Sequence, residues 1–191
     1  MIRSRSRVRA VIPWQYGYKA DGIDPTLILQ LTNQRQAANN IPRAFTDIFS
    51  ISRASSKWVF NSSGVLTEVL SNQPAYDYNP VTGAPKGILI EGLRTNLALN
   101  SATGTNQNIT TTATTYTLSF FGTGTVTLSG TYSGSLVGSG AYPTRSTLTF
   151  TATAGTLTVS VSGTVQYIQI EAGAFASSYI PTTGAVQSRA A

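Results

Sequence analysis

The sequence contains no cysteine and no histidine, and it is poor in acidic side chains. Without cysteine, disulfide frameworks, thiolate zinc sites and cysteine nucleophiles are excluded. Without histidine, the chain lacks the usual general base and the commonest metal ligand. Asp and Glu together number only 7 in 191 residues, so few oxygen ligands are available for a cation. We therefore predict a protein that is not an enzyme and that holds no cofactor and no metal.

Long apolar runs are also missing. The longest, such as GILI and VIPW, are far shorter than the roughly 20 residues that a membrane helix needs. The basic N-terminus is not followed by the apolar segment of a secretory signal. We therefore expect a soluble chain without membrane insertion. Its length is enough for one main domain with a hydrophobic core and an appendage.

The positive charge is concentrated at the N-terminus. The net charge is +6, and four of the arginines alternate with other residues at the start of the chain: Arg3, Arg5, Arg7 and Arg9. In an extended strand this alternation places all four guanidinium groups on one side. Three aromatic residues follow, Trp14, Tyr16 and Tyr18. We interpret residues 1–25 as an arm that docks on a partner protein; a solvated tail and, least favoured, a DNA-binding arm are the alternatives.

Residues 101–170 are rich in Thr, Ser and Gly and contain a single charged side chain, Arg145. Apolar residues alternate with Thr and Ser in four segments: Tyr116, Leu118 and Phe120; Val126 and Leu128; Leu148 and Phe150; Leu157, Val159 and Val161. Short alternating segments separated by glycine-bearing turns predict the strands of a β-sandwich or barrel, with the Thr side chains facing water. The segment VQYIQI has apolar residues at both parities, which predicts a central strand covered on both faces.

Residues 26–100 also predict strands. Leu27, Leu29 and Leu31 alternate in TLILQLTN. The run KWVF, the turn NSSG and the run VLTEVL predict a hairpin, because Gly64 tolerates positive φ and Asn61 can bond its own backbone. No long segment has the 3.6-residue period of a helix. The predicted fold is all-β, with one domain over residues 26–191.

The stretch YDYNPVTGAPKGILIEGLRTNLALNS, Tyr76 to Ser101, is unusually rich in charge for this chain. Paired carboxylates are the machinery of glycoside hydrolysis, which makes Asp77 and Glu91 a candidate catalytic pair. The alternative, which we favour, is structural. In that interpretation Asp77 closes a turn, and Glu91 pairs with Arg94 or Lys86 to fix the strand that follows.

The structural interpretation has a mechanism in the same stretch. Asn79 and Pro80 are suited to start a turn, and Gly83 can supply the positive φ that a turn requires. Arg94 and Asn96 carry donors and acceptors that can satisfy buried backbone groups. These residues, with Asp77 and Glu91, form a predicted structural motif.

Two other patterns have both a functional and a structural interpretation. The glycine-rich segments GTGTVTLSG and GSG lack the Lys-Ser/Thr ending of a phosphate loop, so hairpin turns explain them better. Six aromatic residues can stack on sugar rings: Trp14, Tyr16, Tyr18, Trp58, Tyr132 and Tyr142. Core packing or a subunit interface is the commoner role for such residues, and the sequence does not identify a glycan platform.

Three pieces of the chain resemble, in order, a domain of tailed-phage and prophage virion proteins. They are FSISRASSKWVFNSSGVL, the charged stretch from Tyr76 to Ser101, and the Thr-rich region ending in EAGAFASSYIPTTGAVQSRAA. The most specific motifs are DYNPVTGAPKGILIE with the following RTNL, and EAGAFASSYIPTTG. The resemblance extends from about Phe49 to the C-terminus. It implies a jelly-roll-like sandwich of the concanavalin A (lectin/glucanase) type.

The resemblance also implies a function. We expect a non-enzymatic structural protein of the phage particle, a tail fibre, tail-associated appendage or capsid decoration, located in the virion and attached through its N-terminal arm. The expected partners are other virion proteins of the capsid, neck or tail, and further copies of the chain, with a trimer as one arrangement. The alternative is a lectin-like module that binds host surface glycans during adsorption. A glycan-cleaving enzyme is a third, weaker alternative.

Overall fold

The computed structural model describes every residue from 49 to 191 and, before them, the backbone of three short strands. These strands are β1 (Leu27–Gln30), β2 (Arg35–Ala38) and β3 (Ile41–Arg43), which form an antiparallel sheet in the order β1-β2-β3. The predicted docking arm, residues 1–25, lies outside the described residues. No helix occurs in the described part of the chain, and so none there could cross a membrane.

Eight strands form the main body of the protein. They are β8 (Arg94–Asn96), β9 (Gln107–Thr111), β10 (Thr114–Gly122), β11 (Thr125–Gly130), β12 (Gly134–Val137), β13 (Gly140–Ala152), β14 (Gly155–Ser162) and β15 (Gln166–Ala172). The first sheet has the order β13-β10-β15, and the second sheet has the order β12-β11-β14-β9. Every neighbouring pair in these two sheets is antiparallel.

The segment that follows β8, residues 97–104, lies along β15 on the side away from β10. The Leu97 N–H donates to the Ile170 carbonyl at 2.8 Å, and the Ile168 N–H donates to the Ser101 carbonyl at 2.9 Å, so this segment runs antiparallel to β15. With this segment beside β15, the strands of the two sheets, β15-β10-β13 and β12-β11-β14-β9, interleave along the chain in the way of a jelly roll built from Greek keys. The structure confirms the predicted all-β, jelly-roll-like sandwich.

The hydrophobic core lies between the two sheets. Leu118, Phe120 and Ile168 of the first sheet pack with Val126 and Leu157 of the second, and all five are buried. The alternation in the Thr-rich region therefore predicted the inward-facing residues correctly. Residues Ile168 to Glu171 of β15 are buried on both faces, as VQYIQI predicted, and β15 lies between β10 and the segment that follows β8.

A second layer, which we call the cap, covers the outer face of the first sheet. It consists of residues 49–91 and 173–191. Its strands are β4 (Lys57–Phe60), β5 (Leu66–Val69), β6 (Tyr76–Tyr78), β7 (Pro85–Ile88) and β16 (Gln187–Arg189). Strands β4 and β5 form the predicted hairpin, β6 pairs with β7, and β16 pairs with β8.

The cap changes the environment of the polar residues beneath it. Thr117, Ser119, Gln169 and Glu171 point away from the hydrophobic core, yet all four are buried. The prediction that Thr side chains face water is wrong for Thr117, because the Thr117 hydroxyl donates to the Gly173 carbonyl of the cap at 2.8 Å. The polar layer between the first sheet and the cap contains most of the buried charge in the described residues.

Candidate functional site

A cleft of about 360 Å³ lies between the cap hairpins and the first sheet. Aromatic side chains form part of its wall, and they include Trp58, Phe60, Phe121 and Tyr179. Its polar lining comes from Asp77, Lys86, Glu91, Arg145, Ser177 and Ser178. The structure thus brings the two carboxylates of the sequence-predicted pair to one cleft. It adds Arg145 and the Ser177–Ser178 segment, which sequence reasoning did not connect to them.

Asp77 joins the two hairpins of the cap. One oxygen, Oδ1, accepts a hydrogen bond from the Phe60 N–H at 3.1 Å. The other, Oδ2, accepts from the Lys86 Nζ at 3.1 Å, and the Lys86 side chain is 52% exposed. Both carboxylate oxygens of Asp77 therefore have partners within the cap.

Glu91 lies beside two buried cations. Its Oε1 accepts a hydrogen bond from the Ser178 N–H at 2.8 Å. Its Oε2 lies 3.3 Å from a terminal nitrogen of Arg189 and 3.8 Å from the Lys57 Nζ. Arg189 and Lys57 are only 2% and 3% exposed, respectively. This one carboxylate therefore connects β4, the Ser177–Ser178 segment and the C-terminal strand β16.

The predicted partners of Glu91 were wrong. Lys86 pairs with Asp77 across the β6–β7 hairpin. Arg94 lies with its Nε 3.6 Å from Glu171, and its guanidinium stands 5.0 Å from the ring centre of Phe175. The true partners, Lys57 and Arg189, are far from Glu91 in sequence, so spacing within the motif gave no indication of them.

Glu171 is the second buried carboxylate of the polar layer, and it is fully buried. Its Oε1 accepts hydrogen bonds from the Ser177 N–H at 2.7 Å and from the Gln169 Nε2 at 2.6 Å. Its Oε2 accepts from the Ser177 hydroxyl at 2.6 Å. Sequence reasoning missed its role, although Glu171 begins the motif EAGAFASSYIPTTG and is the only acidic residue after Glu91.

Arg189 and Arg145 hold the Ser177–Ser178 segment from two sides. Arg189 donates to the Ser178 hydroxyl at 2.6 Å and to the Gly92 carbonyl at 3.0 Å. Arg145 donates to the Ser177 carbonyl at 2.6 Å and to the Ser119 hydroxyl at 2.8 Å. The single charged side chain of residues 101–170 thus bridges the first sheet and the cap.

Burial controls the electrostatics of this layer. Desolvation lowers the pKa of Lys57 and of Arg189, while the negative charge of Glu91 opposes the shift in both cases. Desolvation likewise lowers the pKa of Arg145, opposed by Glu171 and Glu91. A buried cation is costly unless it is paired. The two glutamates therefore make the burial of these cations possible.

The Asn96 side chain satisfies buried backbone groups of β15 and of the segments that contain Ala98 and Ile180. Its side-chain nitrogen donates to the Ile168 carbonyl at 3.1 Å and to the Ile180 carbonyl at 2.9 Å. Its oxygen accepts from the Ala98 and Ile170 N–H groups, both at 3.1 Å. The side chain uses its full donor and acceptor capacity inside the protein.

Asn79, Pro80 and Gly83 build the turn after β6, as predicted, but the prediction that Asp77 closes this turn is wrong, because Asp77 lies in β6 and its carboxylate bonds to Phe60 and Lys86. The Asn79 side-chain oxygen accepts from the Val81 N–H at 2.9 Å and from the Thr82 N–H at 3.1 Å, an Asx turn that contains Pro80. Gly83 has a φ of 68°, in the left-handed region that favours glycine. This turn positions Pro80 and Lys86 at the cleft.

The aromatic residues proposed for sugar stacking are dispersed. Trp58 lies at the cleft in edge contact with Tyr179, with ring centres 5.9 Å apart. Tyr142 donates its hydroxyl hydrogen to the Gly64 carbonyl and packs near Phe121. Tyr132 stacks on the core residue Phe150, with ring centres 4.5 Å apart. The other three, Trp14, Tyr16 and Tyr18, lie outside the described residues, as do Arg3, Arg5, Arg7 and Arg9.

The carboxylates of Asp77 and Glu91 at the cleft, and of Glu171 in the polar layer, all have hydrogen-bond donors or cations of the chain beside them. Within the described residues, no group of three or more Asp or Glu side chains could hold a metal ion. Three buried atoms on cleft residues lack hydrogen-bond partners among the described residues: Trp58 Nε1, Glu91 Oε2 and Arg145 Nε.

A second, more apolar groove of about 470 Å³ lies on the other side of Glu91. Ile51, Ile88 and Ile90 contribute to its walls, together with Lys57. Leu89 and Glu91 line both cavities, so these two residues lie between them.

No protein-family model, no curated protein and no solved structure matches this chain.

Proposed function

We propose that this chain is a non-enzymatic structural protein of a phage virion, a tail-associated appendage or a capsid decoration. One observation carries the proposal: the charged residues of its most distinctive motifs hold the two parts of the cap together and fasten the cap to the sandwich. Glu91 holds Ser178 and lies beside Arg189, and Glu171 holds Ser177. The charged residues of the motifs that resemble virion domains thus have a structural role in this proposal: they hold the cap firmly in place. A particle component needs this property, whereas catalysis needs reactive side chains that are accessible.

The arm supplies the attachment in this proposal. Residues 1–25 combine four alternating arginines with Trp14, Tyr16 and Tyr18. Arginine and large aromatic residues dominate the binding energy of many protein interfaces. An acidic surface on a neighbouring capsid, neck or tail protein would complement the arginines.

Labelling of purified particles tests this proposal. Antibody-gold against the chain is expected to decorate tails or capsids that carry the full chain. Particles made with a variant that lacks residues 1–25 are expected to carry no label, while the shortened chain is recovered folded from the lysate. Full-length protein that is absent from particles would overturn the proposal.

A second candidate function is glycan binding at the cleft. The specific observation in its favour is an aromatic wall next to polar groups that lack partners, Trp58 Nε1 and Arg145 Nε. Sugar rings combine an apolar face with a rim of hydroxyls, which such a surface complements. Binding to immobilised host-surface polysaccharide should then survive removal of residues 1–25 and be lost in Trp58→Ala. Equal binding by wild type and Trp58→Ala would contradict this function.

A further inference from the structure

The apolar groove beside Glu91 has an excess of buried positive charge. Arg53 and Lys57 line this groove, and Arg189 pairs with Glu91, which lines it as well. The three cations are only 7%, 3% and 2% exposed, respectively. Glu91 forms an ion pair with Lys57 and with Arg189, whereas Arg53 forms no ion pair within residues 49–191. One carboxylate thus serves three cations at this place.

The three cations are close enough to repel one another. Desolvation, and then the charge of Arg189, lowers the pKa of Arg53. Desolvation also lowers the pKa of Lys57; Glu91 opposes this shift, and the charges of Arg189 and Arg53 add to it. Buried like charges cost free energy unless negative charge compensates them. A second negative charge at this place would therefore stabilise the cluster.

Both cations that line the groove keep N–H groups that the described residues do not use. Arg53 donates through Nε to the Ser55 carbonyl and through Nη2 to the Leu70 carbonyl, both at 2.7 Å, while its Nη1 donates to no described residue. The Lys57 ammonium has three hydrogens, and it donates one hydrogen bond, to the Leu89 carbonyl at 3.2 Å. Charged donors of this kind form strong hydrogen bonds with carboxylate oxygens.

The remainder of the groove wall is largely apolar, with contributions from Ile51, Ala75, Ile88, Leu89 and Ile90. Its volume of about 470 Å³ lies in the range of roughly 300 to 1,000 Å³ that is usual for small-molecule sites. Such sites are mostly apolar, and a few polar groups fix the orientation of the ligand. The groove therefore combines a hydrophobic wall with a cationic one.

We propose that this groove binds a small amphipathic carboxylate, with its head group at Arg53 and Lys57 and its apolar chain along the hydrophobic wall. The charge excess selects an anion, because Glu91 compensates only one of the three positive charges. The hydrophobic wall selects an anion that carries a hydrocarbon chain, since burial of that chain removes apolar surface from water. The groove is separate from the cleft considered for glycans, and its occupation requires no attachment to a particle.

Titration of the full ¹⁵N-labelled chain with three probes, followed by the amide signals in NMR spectra, tests the inference. Octanoate carries both the head group and the chain, acetate carries the head group alone, and 1-octanol carries the chain without the charge. Octanoate is expected to shift the signals of Ile51, Leu89 and Ile90 and to bind at least roughly tenfold more tightly than either other probe. Equal affinities for octanoate and 1-octanol, or shifts that map outside the groove, would overturn the inference.

Ile90→Asp provides the second arm of the test. The Ile90 side chain is 88% exposed, so its replacement leaves the core intact, yet it removes an apolar contact and adds a negative charge at the groove. The affinity for octanoate should fall at least roughly tenfold. Val81→Asp is the matched control, because Val81 is 80% exposed and lines neither the groove nor the cleft.

The control variant should bind octanoate within about twofold of wild type, since surface charges far from a site are screened by salt. Octanoate affinity that is unchanged in Ile90→Asp, or that falls equally in Val81→Asp, would contradict the proposed site. Because the titration uses neither particles nor polysaccharide, its failure leaves the tests of the proposed function unaffected.

Discussion

At the scale of single residues, Glu91 and Asp77 offer a matched comparison of two carboxylates in one cleft. Glu91→Gln removes the negative charge beside Lys57 and Arg189, both almost fully buried. Removing one partner of a buried ion pair costs about 3 to 5 kcal/mol, because the remaining charges are uncompensated. We expect a loss of about 3 kcal/mol in the free energy of unfolding, measured by urea titration.

Asp77→Asn is the control for Glu91→Gln. Its partner Lys86 is largely exposed, and a surface ion pair contributes about 1 kcal/mol or less. An asparagine oxygen can still accept from the Phe60 N–H. A loss for Asp77→Asn that equals or exceeds the loss for Glu91→Gln would show that the Glu91 network does not hold the cap.

A second residue-scale prediction concerns Asn96. Asn96→Ala leaves the Ile168 and Ile180 carbonyls and the Ala98 and Ile170 N–H groups without this side chain. Each buried polar group left unsatisfied costs about 1 to 3 kcal/mol. We expect a loss of at least about 3 kcal/mol, seen as a lower urea midpoint with an unchanged m-value. A loss below about 1 kcal/mol would indicate that water replaces the side chain.

The backbone contacts of Asn79 and Asn96 could be predicted in kind from the sequence, but the partners of Asp77 and Glu91 could not. The Asn79 turn is local, so its chemistry can be predicted from adjacent residues. Glu91 meets Ser178 and Arg189, which come from the other end of the chain. Such contacts depend on how the cap folds over the sheet, and no spacing rule encodes them.

At the scale of elements, the β4–β5 hairpin depends on one glycine. Gly64 has a φ of 74°, and a Cβ there would collide with the Pro80 carbonyl oxygen of the β6–β7 turn. Gly64→Ala should therefore separate the two hairpins of the cap and cost about 2 kcal/mol or more. Thermal unfolding followed by circular dichroism measures this loss.

Gly92→Ala is the matched control, because a Cβ at Gly92 meets no atom within 4 Å. Its effect should stay within about 0.5 kcal/mol of wild type. Similar losses for Gly64→Ala and Gly92→Ala would contradict the account of hairpin packing.

The elements of the sandwich were predictable for a physical reason. Strands that face a core on one side alternate apolar and polar residues, and β10, β11 and β14 follow this rule. The cap was not predictable in this way. Its strands have only three or four residues, and a polar layer of buried side chains, rather than an apolar one, joins it to the first sheet.

At the scale of the whole molecule, two tyrosines make stability depend on pH. Burial raises the pKa of Tyr142 and of Tyr179 above the ordinary value of 10.0. Above pH 10.0 the unfolded chain has released these protons while the folded chain retains them. The unfolded state then binds fewer protons, so the free energy of unfolding falls as pH rises.

The variant Tyr142→Phe isolates this effect. It loses the hydrogen bonds to Gly64 and Leu66 at every pH and is less stable throughout. Its free energy of unfolding should fall less steeply than that of wild type between pH 9 and pH 11, because one tyrosine no longer titrates. Parallel curves for the two proteins would show that Tyr142 does not contribute to the alkaline loss.

The cap bonds to the outer face of the first sheet through Glu171, Thr117 and Arg145, whereas the four strands of the second sheet carry no charged residue. A basic arm of residues 1–25 provides the attachment in the proposed function.

The central claim, that this chain is a structural component of a phage particle, is tested most directly by counting its copies in purified particles. Quantitative mass spectrometry with isotope-labelled peptides from residues 49–191 gives the number of copies for each copy of the major capsid protein. The account predicts a fixed, reproducible ratio that survives salt washing and gradient purification. A ratio that falls toward zero with each purification step would contradict it.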